Sequence, residues 1–201
     1  MKTPKFDLHF PLTGKNIPID HGYKLYAALS RLIDLQPNLC LHESDDIGIH
    51  PIRGRYTGPG QLLLTPLSHL IIRLSAEYTS SFLVLAGKIL NIGDDYIHIG
   101  IPKLTDLLPA PNLYAHMVTT KNGHDEARFD EEISRQLTAL GVGGKPHRGQ
   151  RRILRIKEKC VVAHSLLVTE LTAEESIRLQ EAGLGGRRKL GCGVFMPLRA
   201  E

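Results

Sequence analysis

The order of strand and helix signals in this 201-residue chain predicts an α+β fold made of two successive ferredoxin-like units, each β-α-β-β-α-β. Three observations carry that prediction. The same order of signals occurs twice, and the first helices of the two halves start about 100 residues apart, a small-domain length. A proline-broken stretch, "LLPAPN" at 107–112, separates the halves and sets the expected units at 1–108 and 109–201. The composition, 42% hydrophobic and 23% charged, suffices to fill two such cores.

In the first half, "KFDLHFPL" (5–12) alternates Phe6, Leu8, Phe10 and Leu12 with other residues, the period of a strand. After the connector "TGKNIP", the stretch "DHGYKLYAALSRLI" (20–33) sets Leu25, Leu29, Leu32 and Ile33 on one helical stripe. Asp20 is the expected N-cap, and Pro37 and Asn38 are the expected stop. The polar, Gly/Pro-broken "LCLHESDDIGIHPIRGRYTGPG" flanks a short strand at 47–53, and "LLLTPLSHLIIRLS" (62–75) supplies one or two more. "SSFLVLAG" (80–87) reads as a short helix closed by Gly87, and "KILNIGDDYIHIGIPKL" as a strand pair turning at Gly93-Asp94-Asp95.

The second half repeats the order. "NLYAHMVTTK" (112–121) is a strand, followed by the helix "DEARFDEEISRQLTALG" (125–141), with Phe129, Ile133, Leu137 and Leu140 on one face. "RRILRIKEK" and "CVVAHSLLVTEL" form a hairpin through Glu158–Lys159. "TAEESIRLQEAG" (172–183) opens with a capping box, Thr172 with Glu175, and closes at Gly183. "KLGCGVFMPL" (189–198) is the last strand.

Charge separates the halves. Residues 1–111 hold 10 Lys/Arg and 10 Asp/Glu, whereas residues 112–201 hold 15 and 11, so the whole net charge of +4 lies in the second half. Its densest part, "KPHRGQRRILRIKEK" (145–159), carries seven basic residues against one Glu. Such a segment fits an anionic partner, and a solvated face has the same appearance. Three scattered cysteines without a CxxC pair indicate neither a disulfide framework nor a zinc site. No signal-peptide pattern opens the chain and no apolar run reaches the ~18 residues of a membrane span. A cytoplasmic protein with no membrane contact is expected.

The stretch "GLGGRRKLGCGVFMP" (183–197) holds five glycines around three consecutive basic residues. A dinucleotide fingerprint or P-loop requires a strand before the glycines and a helix after them, because the helix N-terminus holds the phosphate. Here the order is helix, glycines, strand, and Gly-Lys-Ser/Thr is absent, so no nucleotide cofactor is expected. Two readings remain: glycines serving a helix cap and close strand packing, or a backbone nest with guanidiniums that grips a nucleic-acid phosphate chain.

With "DHGYKLYAALSRL" and "LHESDDIGIHPIRG" upstream, "GLGGRRKLGCGVF" resembles the C-terminal glycine-rich loop of the CRISPR-associated repeat-RNA endoribonucleases. This is the sixth family in the Cas nomenclature, and the resemblance is to its myxobacterial-type branch of type I systems. It runs in order from residue 5 to 199. It implies a metal-independent endoribonuclease, with neither metal nor cofactor, that cuts CRISPR precursor RNA within the repeat. In that reaction the substrate's 2′-hydroxyl attacks the adjacent phosphate, leaving a 2′,3′-cyclic phosphate. The implied partners are the repeat RNA, as a hairpin, and other subunits of a type I effector complex.

A proton carrier is needed for that attack, and histidine suits it near neutral pH. His9, His98 and His116 fall in strand candidates, His69 and His164 in apolar strands, and His124 and His147 in polar loops. His42 leads the remaining three, because in many family members the catalytic histidine follows the first helix; His50 and His21 are the alternatives. Tyr23, at the helix start, is a candidate to orient the hydroxyl or stack on a base, and Tyr26 is expected to be half core.

The basic residues fit RNA contact. Period 2 in "RRILRIKEK" puts Arg151, Ile153, Arg155, Lys157 and Lys159 on one face and Arg152, Leu154 and Ile156 on the other. The expected RNA-binding set is Arg53, Arg55, Arg148, Arg151, Arg152, Arg155, Lys157, Lys159, Gly185, Gly186, Arg187, Arg188 and Lys189. A solvated edge strand protected by its charges is the competing explanation for the strand residues. Two-histidine phosphoesterases need two His-x-Ser/Thr motifs, and only His42-Glu43-Ser44 fits. A non-catalytic RNA-binding subunit is the alternative function, although the few aromatics, 5% of residues, argue against base stacking as its main readout.

Overall fold

The computed structural model describes residues 3–35, 40–44 and 46–198. The chain divides into two compact units, Met1–Asp106 and Leu107–Glu201. The expected helix stop at Pro37 and Asn38 lies outside the described residues.

The first unit runs β1 (Lys5–Gly14), β2 (Asn16–Pro18), α1 (Gly22–Ile33), β3 (Gly48–Ile49), β4 (Arg55–Gly58), β5 (Gln61–Leu63), β6 (His69–Ser75), α2 (Thr79–Leu83), β7 (Ile89–Ile92), β8 (Asp95–Ile99) and β9 (Lys103–Asp106). Its main sheet has the order β3-β6-β1-β8-β7, with β9 also paired to β1. Thus β6 lies between β1 and β3, as a split β-α-β unit requires. The alternation read in β1 is real: Leu8, Phe10 and Leu12 are buried with Leu25, Leu29 and Ile33 of α1 and Leu70, Ile72 and Leu74 of β6.

Two expectations are corrected in this unit. Helix α1 starts at Gly22 with His21, not Asp20, at the N-cap position, and no side chain caps it. Residues read as connectors, in "TGKNIP" and "RGRYTGPG", pair with the start of the 62–75 stretch to form a separate three-stranded sheet of order β2-β5-β4. Strands of three or four residues are too short to show a period in sequence.

The second unit runs β10 (Leu113–Val118), α3 (Glu126–Ala139), β11 (Lys145–Ile156), β12 (Lys159–Thr169), α4 (Ala173–Ala182) and β13 (Met196–Pro197). Its sheet order is β11-β12-β10-β13, again with the third strand between the first and second. Phe129, Ile133 and Leu137 of α3 share a core with Leu166, Val168, Leu179 and Phe195. The helix ends follow the sequence. Asp125 accepts the Arg128 amide at 3.1 Å. Both bonds of the Thr172–Glu175 capping box form, and Gly183 ends α4 with φ 66°.

The hairpin departs from expectation at both ends. It turns at Lys157-Glu158, so Lys157 (φ 53°) leaves the strand face on which it was expected. At the other end "KPHRGQ", read as a loop, is strand, and His147 bonds the Thr169 hydroxyl at 3.0 Å. Pro146 is tolerated there because β11 is an edge strand, where a missing N–H breaks no ladder. The register shifts between Arg148 and Arg151, where a Cβ on Gly149 would strike the Ser165 hydroxyl. Both units are ferredoxin-like, and the fold is α+β.

Candidate active site and nucleic-acid interface

His42 lies on an exposed turn after α1, held from both sides. The Tyr26 hydroxyl is 3.1 Å from His42 Nδ1. Immediately before it, the Leu41 amide donates to Asp34 Oδ1 at 2.7 Å, and the Leu41 side chain is fully buried. Asp46, four residues on, pairs with Lys5 of β1 at 3.2 Å. A helix residue, a helix-end carboxylate and a strand lysine therefore fix a loop that carries an accessible imidazole. Tyr26 was read as half core; its ring does pack against the core, while its hydroxyl reaches the histidine. Tyr23 is half-buried one turn earlier.

The other two candidate histidines are placed differently. His21 is buried, with both ring nitrogens occupied: Nδ1 donates to the Pro18 carbonyl at 3.0 Å and Nε2 accepts the Ile52 amide at 2.9 Å. Such a ring is neutral, and burial lowers its pKa against the opposing pull of the Pro18 carbonyl and Asp20. The Ile52 amide that it holds directly precedes Arg53. The Arg53 carbonyl in turn accepts the Ser68 hydroxyl at 2.6 Å. His21 thereby anchors the segment that presents Arg53 and Arg55, both exposed.

His50 is also buried, its Nε2 3.8 Å from Asp7 Oδ1, too long for a hydrogen bond but within electrostatic reach. Asp7 is clamped by the Arg73 guanidinium through two bonds of 2.8 Å. Burial alone would raise the Asp7 carboxyl; His50 and Arg73 together hold it well below the usual carboxylate range. Burial lowers the His50 pKa, as does the nearby Arg73 charge, against the pull of Asp7. The network ties β1 to β6 and fastens the chain just after β3, where the His50 amide donates to the Ile71 carbonyl at 2.9 Å.

In the second unit the expected basic strand is largely as read. Arg151, Ile153 and Arg155 are exposed, Arg152 and Ile156 half-buried and Leu154 fully buried; Lys157 lies in the turn and Lys159 opens β12. Arg148 instead faces α3, pairing with Glu126 at 2.8 Å and Asp130 at 2.9 Å.

The glycine-rich loop is tied inward by its amides. Gly185 donates to Gln136 Oε1 at 2.7 Å, Gly186 to the Thr119 carbonyl at 3.3 Å, and Gly193 to the Met117 carbonyl at 2.6 Å. Side chains at Gly183, Gly185 or Gly193 would strike the carbonyls of Gly193, Thr119 and Leu184 respectively. Gly185 and Gly186 therefore supply shape rather than phosphate donors. The Arg188 guanidinium caps the Ala182 carbonyl at the end of α4, and Arg187 is exposed. Of the two readings of the loop, close packing accounts for the glycines and leaves the charge to side chains.

Among the described residues no three His, Cys, Asp or Glu side chains cluster as a metal site, and no helix is long and apolar enough to cross a membrane.

Two ferredoxin-like units, one with a loop-borne histidine and one with a basic hairpin and a glycine loop, define a duplicated α+β protein. The chain belongs to the Cas6 family: the family described as Cas6 Crispr matches residues 6–200. The CRISPR-associated endonuclease Cas6 of Myxococcus xanthus (strain DK1622) is 41% identical over 191 residues, covering 95% of this chain and 80% of that protein. Among solved structures, a Cas6-related protein from Pyrococcus furiosus superposes with TM-score 0.70 at 15% identity, covering 98% of this chain and 100% of that one. Cse3 of Thermus thermophilus, bound to an RNA representing a pre-cleavage complex, gives 0.53 at 14% identity, covering 96% and 98%.

Proposed function

We propose that this protein is the endoribonuclease that cuts CRISPR precursor RNA within the repeat, without a metal ion, to release guide RNA. The reading is supported by membership of a family with an endonuclease relative. The observation that carries the chemistry is the Tyr26–His42 contact on an accessible turn. In the reaction the substrate's 2′-oxygen bonds to the adjacent phosphorus as its proton leaves, and the bond from phosphorus to the 5′-oxygen breaks as that oxygen takes a proton. The products are a 2′,3′-cyclic phosphate and a 5′-hydroxyl. His42 moves one of these protons, and Tyr26 holds its ring in one orientation. His21 and His50, buried, support the segments around the site rather than the proton transfers.

Arg53, Arg55, Arg151, Arg152, Arg155, Lys157, Lys159, Arg187 and Lys189 contact the phosphates of the repeat hairpin, with the glycines shaping the loop that carries the last two. Retention of the product within a type I effector complex, in the cytoplasm, belongs to the same reading. The deciding experiment incubates the protein with labelled repeat RNA in EDTA. The expected result is one cut with a cyclic-phosphate end. Tight binding with no cut at any pH from about 6 to 9, the range over which histidine titrates, would reduce the protein to an RNA-binding subunit.

A further inference from the structure

The second unit contains a cleft of about 1030 Å³ whose only lining residues with an assigned role are those of the glycine loop. Its walls are the 119–124 loop, the second half of α3, the start of β12 and the glycine loop at 185–187. We propose that this cleft seats one unpaired nucleotide of the RNA, apart from the bond that is cut. The proposal rests on the RNA-processing reading and adds a base-binding subsite to it.

Three features select that occupant. First, the glycine loop builds the cleft rather than a phosphate nest. Gly185 is pressed against Thr119 and fastened to Gln136, while Gly186, beside it, opens onto empty space: a Cβ there would meet nothing within 4 Å. Secondly, the walls combine two chemistries. Val161 and Val162 offer an apolar strip, and Thr120 has its hydroxyl buried without a hydrogen-bond partner among the described residues. A base has an apolar face and a polar edge and satisfies both; a bare phosphate would accept from the hydroxyl but leave the apolar strip uncovered. Thirdly, Lys121 and Arg187 are exposed and line the same cleft, positioned for the phosphate of the nucleotide or, for Arg187, for stacking of its guanidinium plane. The carboxylate on the wall, Glu132, is held by Arg135 at 2.7 and 2.8 Å and by Gln136 at 2.7 Å, which reduces its repulsion of an anion. Bases in a duplex are stacked inward, so only an unpaired, splayed nucleotide presents both face and edge.

The test uses the repeat RNA with one base removed at a time. With wild-type protein, loss of the base at one unpaired position should weaken binding about 5- to 150-fold, the range for a single stacked base. Gly186 has room for a side chain, so Gly186→Phe places a ring at the glycine-loop wall of the cleft and obstructs it there. It should weaken binding of intact RNA by a similar factor and abolish the penalty at that position, with its thermal unfolding midpoint unchanged. A second measurement needs no cleft-obstructing variant. Cys160 lines the cleft and is exposed, so RNA whose base at that position carries a tethered alkyl disulfide should exchange with the Cys160 thiolate of wild-type protein, releasing the small thiol, and not with Cys160→Ser. An unchanged base-removal profile in folded Gly186→Phe, or no position that traps Cys160, overturns the cleft assignment while leaving RNA processing intact. Failure of the wild type to bind or cut the RNA overturns the functional reading, and this proposal with it.

Discussion

The Tyr26 hydroxyl lies 3.1 Å from His42 Nδ1, joining two residues 16 positions apart across the end of α1. The contact sets His42 apart from the other two candidate histidines, His21 and His50. His42 is accessible and oriented, whereas His21 and His50 are buried. His42→Ala should therefore slow repeat cleavage about 100- to 10,000-fold with RNA affinity unchanged. His21→Ala and His50→Ala should lose thermal stability first. Wild-type cleavage by His42→Ala in a single-turnover assay would sink the assignment.

Tyr26→Phe keeps the ring that packs on the core and removes only the hydroxyl. The expected loss is about 5- to 10-fold in cleavage rate, the worth of one hydrogen bond, with the dissociation constant for RNA unmoved. Tyr23→Phe should cleave at the wild-type rate. The reverse pattern would transfer the orienting role to Tyr23.

Asp7 and Arg73 form a bidentate pair in a buried setting, with Arg73 only 3% exposed. Asp7→Ala should cost about 3–5 kcal/mol, because it strips a buried guanidinium of its counter-charge. The double variant Asp7→Ala/Arg73→Met should recover much of that loss. Urea unfolding of the two variants measures both, and equal stability of single and double variants would show that the pair is not what matters.

Acid should weaken the fold in two stages. His21 and His50 are held neutral, mainly by burial, below the ordinary imidazole value of 6.5. Their unfolded counterparts take up protons below about pH 6.5, so unfolding binds protons and stability falls as pH drops through that region. Asp7, held low after burial is offset by His50 and Arg73, adds a second loss below its ordinary 3.8. Urea midpoints measured from pH 8 to 3 should be flat above 7 and decline on the acid side. A midpoint that holds steady from pH 7 to 5 would contradict the histidine part.

Arg187 and Arg188 should behave differently despite being neighbours. Arg187→Ala should weaken RNA binding and reduce the salt slope by about one, as expected for one phosphate contact. Arg188→Ala removes the cap on the Ala182 carbonyl and should lower the unfolding temperature. Binding measured at several salt concentrations, beside thermal melts, separates the two. Identical salt slopes for wild type and Arg187→Ala would remove Arg187 from the RNA contact.

The sequence by itself determined what local rules govern. The period of Leu8, Phe10 and Leu12, the stripe of Phe129, Ile133 and Leu137, the Thr172–Glu175 box and the stop at Gly183 each depend on residues within a few positions of one another. The position of the glycine loop after a helix and before a strand also followed from order alone. The three-stranded β2-β5-β4 sheet did not, because β2 joins β5 across more than forty residues and no strand is long enough to show a period.

Tertiary structure alone decided the partners. The choice of Tyr26 over Tyr23 depends on where a loop returns to a helix, and local periodicity says nothing of that. His21 stands in the sequence as an alternative catalytic histidine, but Pro18 and Ile52, from segments on either side of α1, close on its two nitrogens. The glycines looked available to phosphate until Gln136, Thr119 and Met117 claimed their amides. In each case at least one deciding contact, to His42, Ile52 or Gln136, joins residues that the chain keeps apart. Side-chain chemistry is written in sequence, but which nitrogen or amide stays accessible to a substrate is settled only by the packing around it.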